Sequence, residues 1–241
     1  MSVLVTAASI LSLFAGQTLA WQTTQAPTTR RFGLVSPPRQ STTQLNLFDK
    51  IFEEEGILGK GITVGKVQVA LTSPTRGPDS IFGILEREAN DDKSLPELTN
   101  AICLALMRKS DEWVGAAGVS EWYGQDDSGK AESKFNDFAN REAAKFEKEY
   151  VPDGTSAETG GGATLVVVSL VVEIEGDSTV FNRAGYSITE TKEVLASIAS
   201  DCMVDEGDCL NAVEIFWCPS ERSEVLTKID VITDFPEIID L

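Results

Sequence analysis

Two apolar patterns set the frame of the chain. Leu165-Val166-Val167-Val168-Ser169-Leu170-Val171-Val172 is a nearly unbroken apolar run, rich in β-branched residues and bounded by Gly160-Gly161-Gly162 and Gly176. It is too short to cross a bilayer, which takes about 20 apolar residues. The run predicts a strand buried on both faces. Ala212-Val213-Glu214-Ile215-Phe216-Trp217 predicts a second strand, with Val213, Ile215 and Trp217 on one face and Ala212, Glu214 and Phe216 on the other. Between them, Ser187 to Ser200 reads as a helix. Ile188, Val194, Leu195 and Ile198 recur at helical spacing, and Ser187 and Glu190 have capping-box spacing. A strand–helix–strand unit of this size is most simply parallel, with a right-handed crossover.

Elsewhere the pattern alternates between strand and helix. Val67, Val69 and Leu71 alternate with Gln68, Ala70 and Thr72, a first strand. Gly56, Gly59, Gly61 and Gly65 predict a flexible segment before it. Ile81, Phe82, Leu85 and Ala89 mark a short helix. Leu95, Leu98, Ile102, Ala105 and Leu106 mark another, opened by a Ser94/Glu97 capping box. Trp113 to Tyr123 reads as irregular and aromatic, and Gln125 to Lys130 as a polar turn. From Ala131 to Tyr150, Phe135, Phe138, Ala139, Ala143, Phe146 and Tyr150 share one helical face. The other face is crowded with both charges, most simply a solvated surface. Ser220 to Asp234 predicts a last helix, ended by Pro236. The expected fold is a single α/β domain over residues 62–241, with a small sheet of about three strands packed with about five helices.

The first 45 residues do not belong to this pattern. Val3 to Phe14 is apolar and uncharged, and small and polar residues follow up to Ala20. That is the form of a signal peptide, residues 1–20. Trp21 to Leu45 is rich in Thr, Ser, Pro and Gln and carries arginine but no acid, the composition of a transit peptide. The tandem resembles the bipartite presequence of plastid proteins in algae with secondary plastids, where an aromatic residue follows the first cut. Trp21 would take that place. Residues 46–61 form a lead-in, in which Leu47, Phe48, Ile51, Phe52 and Ile57 suit a short amphipathic helix.

Charge and composition narrow the function classes. Of 20 basic residues only Arg30, Arg31 and Arg39 precede Leu45, and all 38 acidic residues follow it, so the body carries 17 bases against 38 acids, or −21. Such a body repels nucleic acid and anionic lipid headgroups. Histidine is absent, which removes Ser-His-Asp and Cys-His nucleophile schemes and histidine-based zinc sites. No P-loop, dinucleotide fingerprint or CxxC pair is present, and no cofactor or metal is expected.

Four groups of residues could carry chemistry. Cys202 and Cys209 bracket an acidic hexapeptide and Cys218 lies just beyond the last strand, so a redox pair or plain thiols both fit. The neighbouring acids disfavour thiolates. Asp201, Asp205, Glu206 and Asp208 surround Gly207 without EF-hand spacing. Glu173 and Glu175 share a strand face, suited to acid–base work or to marking where the strand leaves the core. Trp113, Trp122 and Tyr123 suit either a partner-binding patch or the packing of an irregular segment.

A family resemblance rests on several stretches. These are Val67-Gln68-Val69-Ala70-Leu71, Leu104-Ala105-Leu106-Met107-Arg108 with Trp113, the valine run into Glu175-Gly176, Ala212-Val213-Glu214-Ile215-Phe216-Trp217-Cys218-Pro219, and Asp234-Phe235-Pro236. Through them the chain resembles a plastid and cyanobacterial family of domains of unknown function, numbered 1517 and including fluctuating-light-acclimation proteins. The resemblance implies a photosynthetic membrane setting and a role in acclimation, with no assigned catalytic residues. Many members carry a Gly/Ser-rich segment and a hydrophobic span before the domain, and neither follows Leu45 here. The resulting expectation is a non-enzymatic regulatory or interaction domain in the plastid, in the stroma or peripheral to thylakoids, with a protein partner. A small carboxylate-dependent enzyme and a thiol-redox switch are the alternatives.

Overall fold

The valine-rich run forms β3 (Thr164–Glu175) and pairs along its length with β1 (Ile62–Ser73), from Ile62 opposite Glu175 to Ser73 opposite Thr164. The computed structural model describes residues 55–145, 163–219 and 224–241. The remaining elements in chain order are α1 (Ile81–Asn90), α2 (Leu95–Arg108), β2 (Trp113–Tyr123), α3 (Ser128–Lys145), α4 (Ile188–Asp201), β4 (Leu210–Cys218), α5 (Lys228–Asp234) and β5 (Ile239–Asp240). The described residues thus form one α/β unit whose five-stranded sheet has the order β4-β3-β1-β2-β5, with every neighbouring pair antiparallel.

The sheet corrects the expected strand count of about three. β2 escapes a pattern search because Gly115, Ala116, Ala117 and Gly118 interrupt its alternation. Two of the sheet's glycines have a packing reason. A Cβ on Gly65 would lie 2.3 Å from the Phe181 ring, and one on Gly118 would lie 2.2 Å from the Phe181 carbonyl oxygen. Both strands shed their side chains there so that the chain after β3 can lie flat on the sheet. β5, at two residues, is too short to leave a pattern.

The parallel right-handed unit is also corrected. β3 and β4 are antiparallel, with Val167 opposite Cys218 and Ile174 opposite Leu210. The chain leaves β3, crosses to β2, and runs along it from Gly118, beside Phe181, to Ala116, beside Gly185. That loop is the outward leg and α4 the return leg, so β4 starts at the end of the sheet where β3 stopped. At the turn into β4, Asp205 and Glu206 take left-handed backbone conformations (φ 53° and 57°).

The two sheet faces are built differently. Val67, Val69 and Leu71 of β1, with Val166, Val168, Leu170 and Val172 of β3, pack under α1, α2 and α4 through Phe82, Leu85, Ile102, Leu106, Leu195 and Ile198. Serine side chains cap these helices at their starts, and only α2 of the three closes a full capping box. The Ser94 hydroxyl accepts from the Glu97 amide, and the Ser187 hydroxyl from the Glu190 amide. The opposite face carries α3 and α5 over two separate apolar clusters. Ile62, Val64, Val171 and Phe216 meet Phe135 and Phe138 of α3. Ala70, Val167 and Cys218 meet Val231 and Phe235, of α5 and its C-terminal cap.

Helix limits need two amendments. α3 starts at Ser128, inside the stretch read as a turn, and Phe146 and Tyr150 lie outside the described residues. The last helix spans only Lys228–Asp234, capped by Thr227 and Asp230, and Ser220 to Ser223 lie outside the described residues. Residues 1–54, with the predicted targeting segments and most of the lead-in, also lie outside them.

Candidate functional site

Between the two apolar clusters of the α3 face lies a belt of polar side chains. Lys66 and Gln68 point to that face from β1, and Ser169, the register partner of Gln68, points there from β3. Glu142 reaches them from the last turns of α3 and is fully buried. Its Oε1 accepts from Lys66 Nζ (2.8 Å) and Lys145 Nζ (3.0 Å). Its Oε2 accepts from Gln68 Nε2 (2.9 Å) and Ser169 Oγ (2.8 Å). Glu237, in the turn before β5, accepts from both lysines through Oε1, at 2.9 Å from Lys66 and 2.7 Å from Lys145. Two ammonium groups thus face two carboxylates, the arrangement a buried charge requires. The charged face of α3, read from sequence as solvated, is therefore partly a buried contact.

Protonation follows from these contacts. Burial would raise the Glu237 carboxyl, but Lys145 and Lys66 outweigh it and hold the group down at about 2. Burial would lower the Lys66 ammonium, but Glu142 and Glu237 outweigh that and keep it above its ordinary value.

A cavity of about 150 Å³ opens beside this belt. Its floor includes Lys66, Gln68 and Glu237, and its walls are Ala117, Gly118, Asn182 and Ala184. Val119, Tyr186 and Ile239 stand at the mouth as exposed apolar side chains, Tyr186 at 74%. The cavity exists because β5 pairs only with Gly115 and Ala116, leaving the edge of β2 beyond Ala116 without a strand neighbour among the described residues. Ala117, opposite Gln68, is also too small to cover it. Gln68 is fully buried, and among the described residues its Oε1 has no hydrogen-bond partner.

The sequence-derived candidates fall elsewhere or only partly here. Trp113 is in the core, with its indole N–H donating to the Leu106 carbonyl at 3.1 Å. Trp122 is 50% exposed near the end of β2, and its N–H donates to the Lys60 carbonyl at 2.7 Å. The Tyr123 hydroxyl donates to Glu121 (2.7 Å), and burial together with that acceptor pushes the phenol up to about 12. Cys202, Cys209 and Cys218 are buried thiols. Burial and the Asp201 charge push Cys202 up to about 12, and burial with Glu175 and nearby aspartates raises Cys209. The thiol electrostatically coupled to Cys202 belongs to Cys103 of α2. Glu173 is buried and Glu175 exposed, and neither lines a cavity described here. A second groove of about 390 Å³, between α1 and α2, is lined by Arg87, Lys93 and Arg108, and Glu88 already pairs with the first two. Among the described residues no cluster of His, Cys, Asp and Glu could hold a metal ion.

Sequence reasoning missed Lys66, Glu142 and Glu237. The visible signal was Lys66-Val67-Gln68, two polar side chains at alternate positions on the inward face of a strand in the middle of the sheet.

Among the described residues no helix is long and apolar enough to cross a membrane. Protein FLAP1 homolog A of Synechocystis sp. is 25% identical over 159 residues, which cover 56% of this chain and 43% of that protein. The chain therefore spans less than half the length of this curated relative. No solved structure matches. The family profile covers residues 61–241, all of the sheet and its helices, and the chain belongs to the family described as "Protein of unknown function (DUF1517)".

Proposed function

We propose that the chain is a non-enzymatic binding domain of a plastid, acting in the stroma or at the thylakoid surface in the acclimation of photosynthesis. One observation carries the binding role. Val119, Tyr186 and Ile239 stand exposed around one concave mouth. Large exposed apolar side chains gathered at a concave place are what a partner site presents. The setting rests on the presequence composition and on the family, whose cyanobacterial relative comes from a photosynthetic organism. The acidic body suits a partner with a basic or apolar surface and repels anionic lipid, which favours attachment through a protein.

The test is fractionation of algal cells expressing the full chain with a C-terminal tag, followed by cross-linking from a photoreactive residue at position 119. The tag should enter the plastid and leave the membranes in salt. One plastid protein should cross-link from position 119 and not from position 137 on the outer side of α3. A tag outside the plastid, or cross-links equal at both positions, overturns the proposal.

A further inference from the structure

We infer that the cavity at the β2 edge binds a small neutral ligand presenting a carboxamide, or an equivalent adjacent N–H donor and C=O acceptor, on an apolar body. The argument starts with Gln68. Its Nε2 donates to Glu142 Oε2 (2.9 Å) and Ser169 Oγ (3.2 Å), so the amide cannot turn over without setting its oxygen against a carboxylate. Oε1 is therefore fixed as an acceptor, and it is buried with no donor among the described residues. A buried acceptor in that state is costly to keep, and each such group calls for a partner.

Lys66 supplies the complement. Its ammonium has three donors, and Glu142 and Glu237 use two of them. The third is left for an acceptor, so the floor offers one acceptor and one donor on neighbouring side chains of β1. Charge decides between a neutral ligand and an ion. Lys66 and Lys145 already balance Glu142 and Glu237, and an ionic ligand would leave one buried charge unmatched. Size and rim decide the remainder. A cavity of about 150 Å³ accepts a body the size of benzene, and Val119, Tyr186 and Ile239 give it apolar contact at the mouth.

This site uses the floor of the cavity, whereas the partner reading above uses the exposed rim, so each can fail alone. The experiment titrates the isotope-labelled full chain with benzamide, benzoate and toluene. It follows the backbone amides of Ala117, Gly118 and Val119 and the side-chain amide of Gln68 by NMR. Benzamide should give saturable shifts, with benzoate and toluene at least about threefold weaker. Gln68→Met keeps the volume but removes the acceptor, and should weaken benzamide about threefold to tenfold while sparing toluene. Ala117→Leu fills the cavity without touching the charged belt and should abolish the benzamide shifts, which decides the matter if Gln68→Met does not fold. Equal affinity for the three probes, no saturable shift, or an Ala117→Leu variant that still responds to benzamide overturns the inference. So does a water that stays on Gln68 under saturating benzamide.

Discussion

The two faces of the sheet solve the same problem with different physics. Under α1, α2 and α4 the contact is continuous and apolar, from Leu71 and Val69 through Leu170 to Ile198. Under α3 and α5 the apolar contact is split in two, and the gap holds Lys66, Gln68, Ser169, Glu142, Lys145 and Glu237. An apolar contact tolerates a shift that conserves volume. A buried carboxylate does not, because a one-turn slip of α3 would carry Glu142 away from Lys66, Gln68 and Ser169 and leave its charge unmatched. The belt therefore fixes the register of α3 and ties the C-terminal turn at Glu237 to the middle of the sheet. The same belt floors the cavity.

Breaking the belt should give the largest effect. Glu142→Ala leaves two buried ammonium groups with one carboxylate and strands the Gln68 amide, and should cost about 3–5 kcal/mol in denaturant unfolding. Replacing the belt should cost much less. The variant Lys66→Met, Gln68→Leu, Glu142→Leu, Ser169→Ala leaves Lys145 and Glu237, which lie 2.7 Å apart in the native chain, to neutralise each other. That variant should recover most of the loss, because removing both signs of charge also removes their desolvation penalty. Equal instability in the two variants would show that the charges stabilise the fold outright.

On the apolar face no such rescue exists. Leu106→Ala in α2 opens a void among fully buried neighbours and should cost about 2–5 kcal/mol. Substituting its neighbour Ile102 as well should deepen the loss rather than repair it.

Acid sharpens the contrast. The Glu237 carboxyl is held at about 2 when folded, below its ordinary 4.5, so it binds its proton more weakly in the folded chain. Its contribution is complete above the ordinary value and is lost as pH falls from about 4.5 toward 2. Lys66 has the opposite sign. Its raised ammonium contributes below its ordinary 10.5, and that contribution is lost as pH rises through the folded value. Glu237→Gln should flatten the acid limb of a stability-against-pH curve, with a loss near neutral pH of about 1 kcal/mol after solvent screening. Leu106→Ala should lower the whole curve without changing its slope. An unchanged acid limb in Glu237→Gln would place the titrating contact elsewhere.

How much of this could be read from the sequence depended on whether a pattern was local. The apolar run, the alternation in β4 and the Ser94 and Ser187 caps are local, and they gave β3, β4, α2 and α4. β2 was hidden because Ala116 and Gly118 answer to a distant loop around Phe181 and Gly185, and Gly115 answers to Ile238 and Ile239 near the C-terminus. The antiparallel return of β4 was hidden for a related reason, since a helix between two strands does not reveal that a loop has already made the outward journey. The belt joins positions 66, 68, 142, 145, 169 and 237, and no spacing rule connects them. What the chain did disclose was polar residues facing inward on β1.

The smallest effect comes from the residue next to the largest. Arg141 and Asp137 pair on the outer side of α3 at 3.0 Å, with side chains 70% and 42% exposed. Water screens both charges and the long arginine loses freedom in holding the pair, so a double-mutant cycle on Asp137→Ala and Arg141→Ala should give a coupling of about 0.5 kcal/mol or less. The same cycle on Lys66→Met and Glu142→Leu should give a coupling several times larger, because each single change strands a buried charge that the double change removes. Arg141 and Glu142 are consecutive in the chain and share the helix, its ends and its backbone. A larger second coupling therefore reports the burial of Glu142 and its place between strand and helix, and equal couplings would mean that water reaches Glu142 and that the belt does not hold the register of α3.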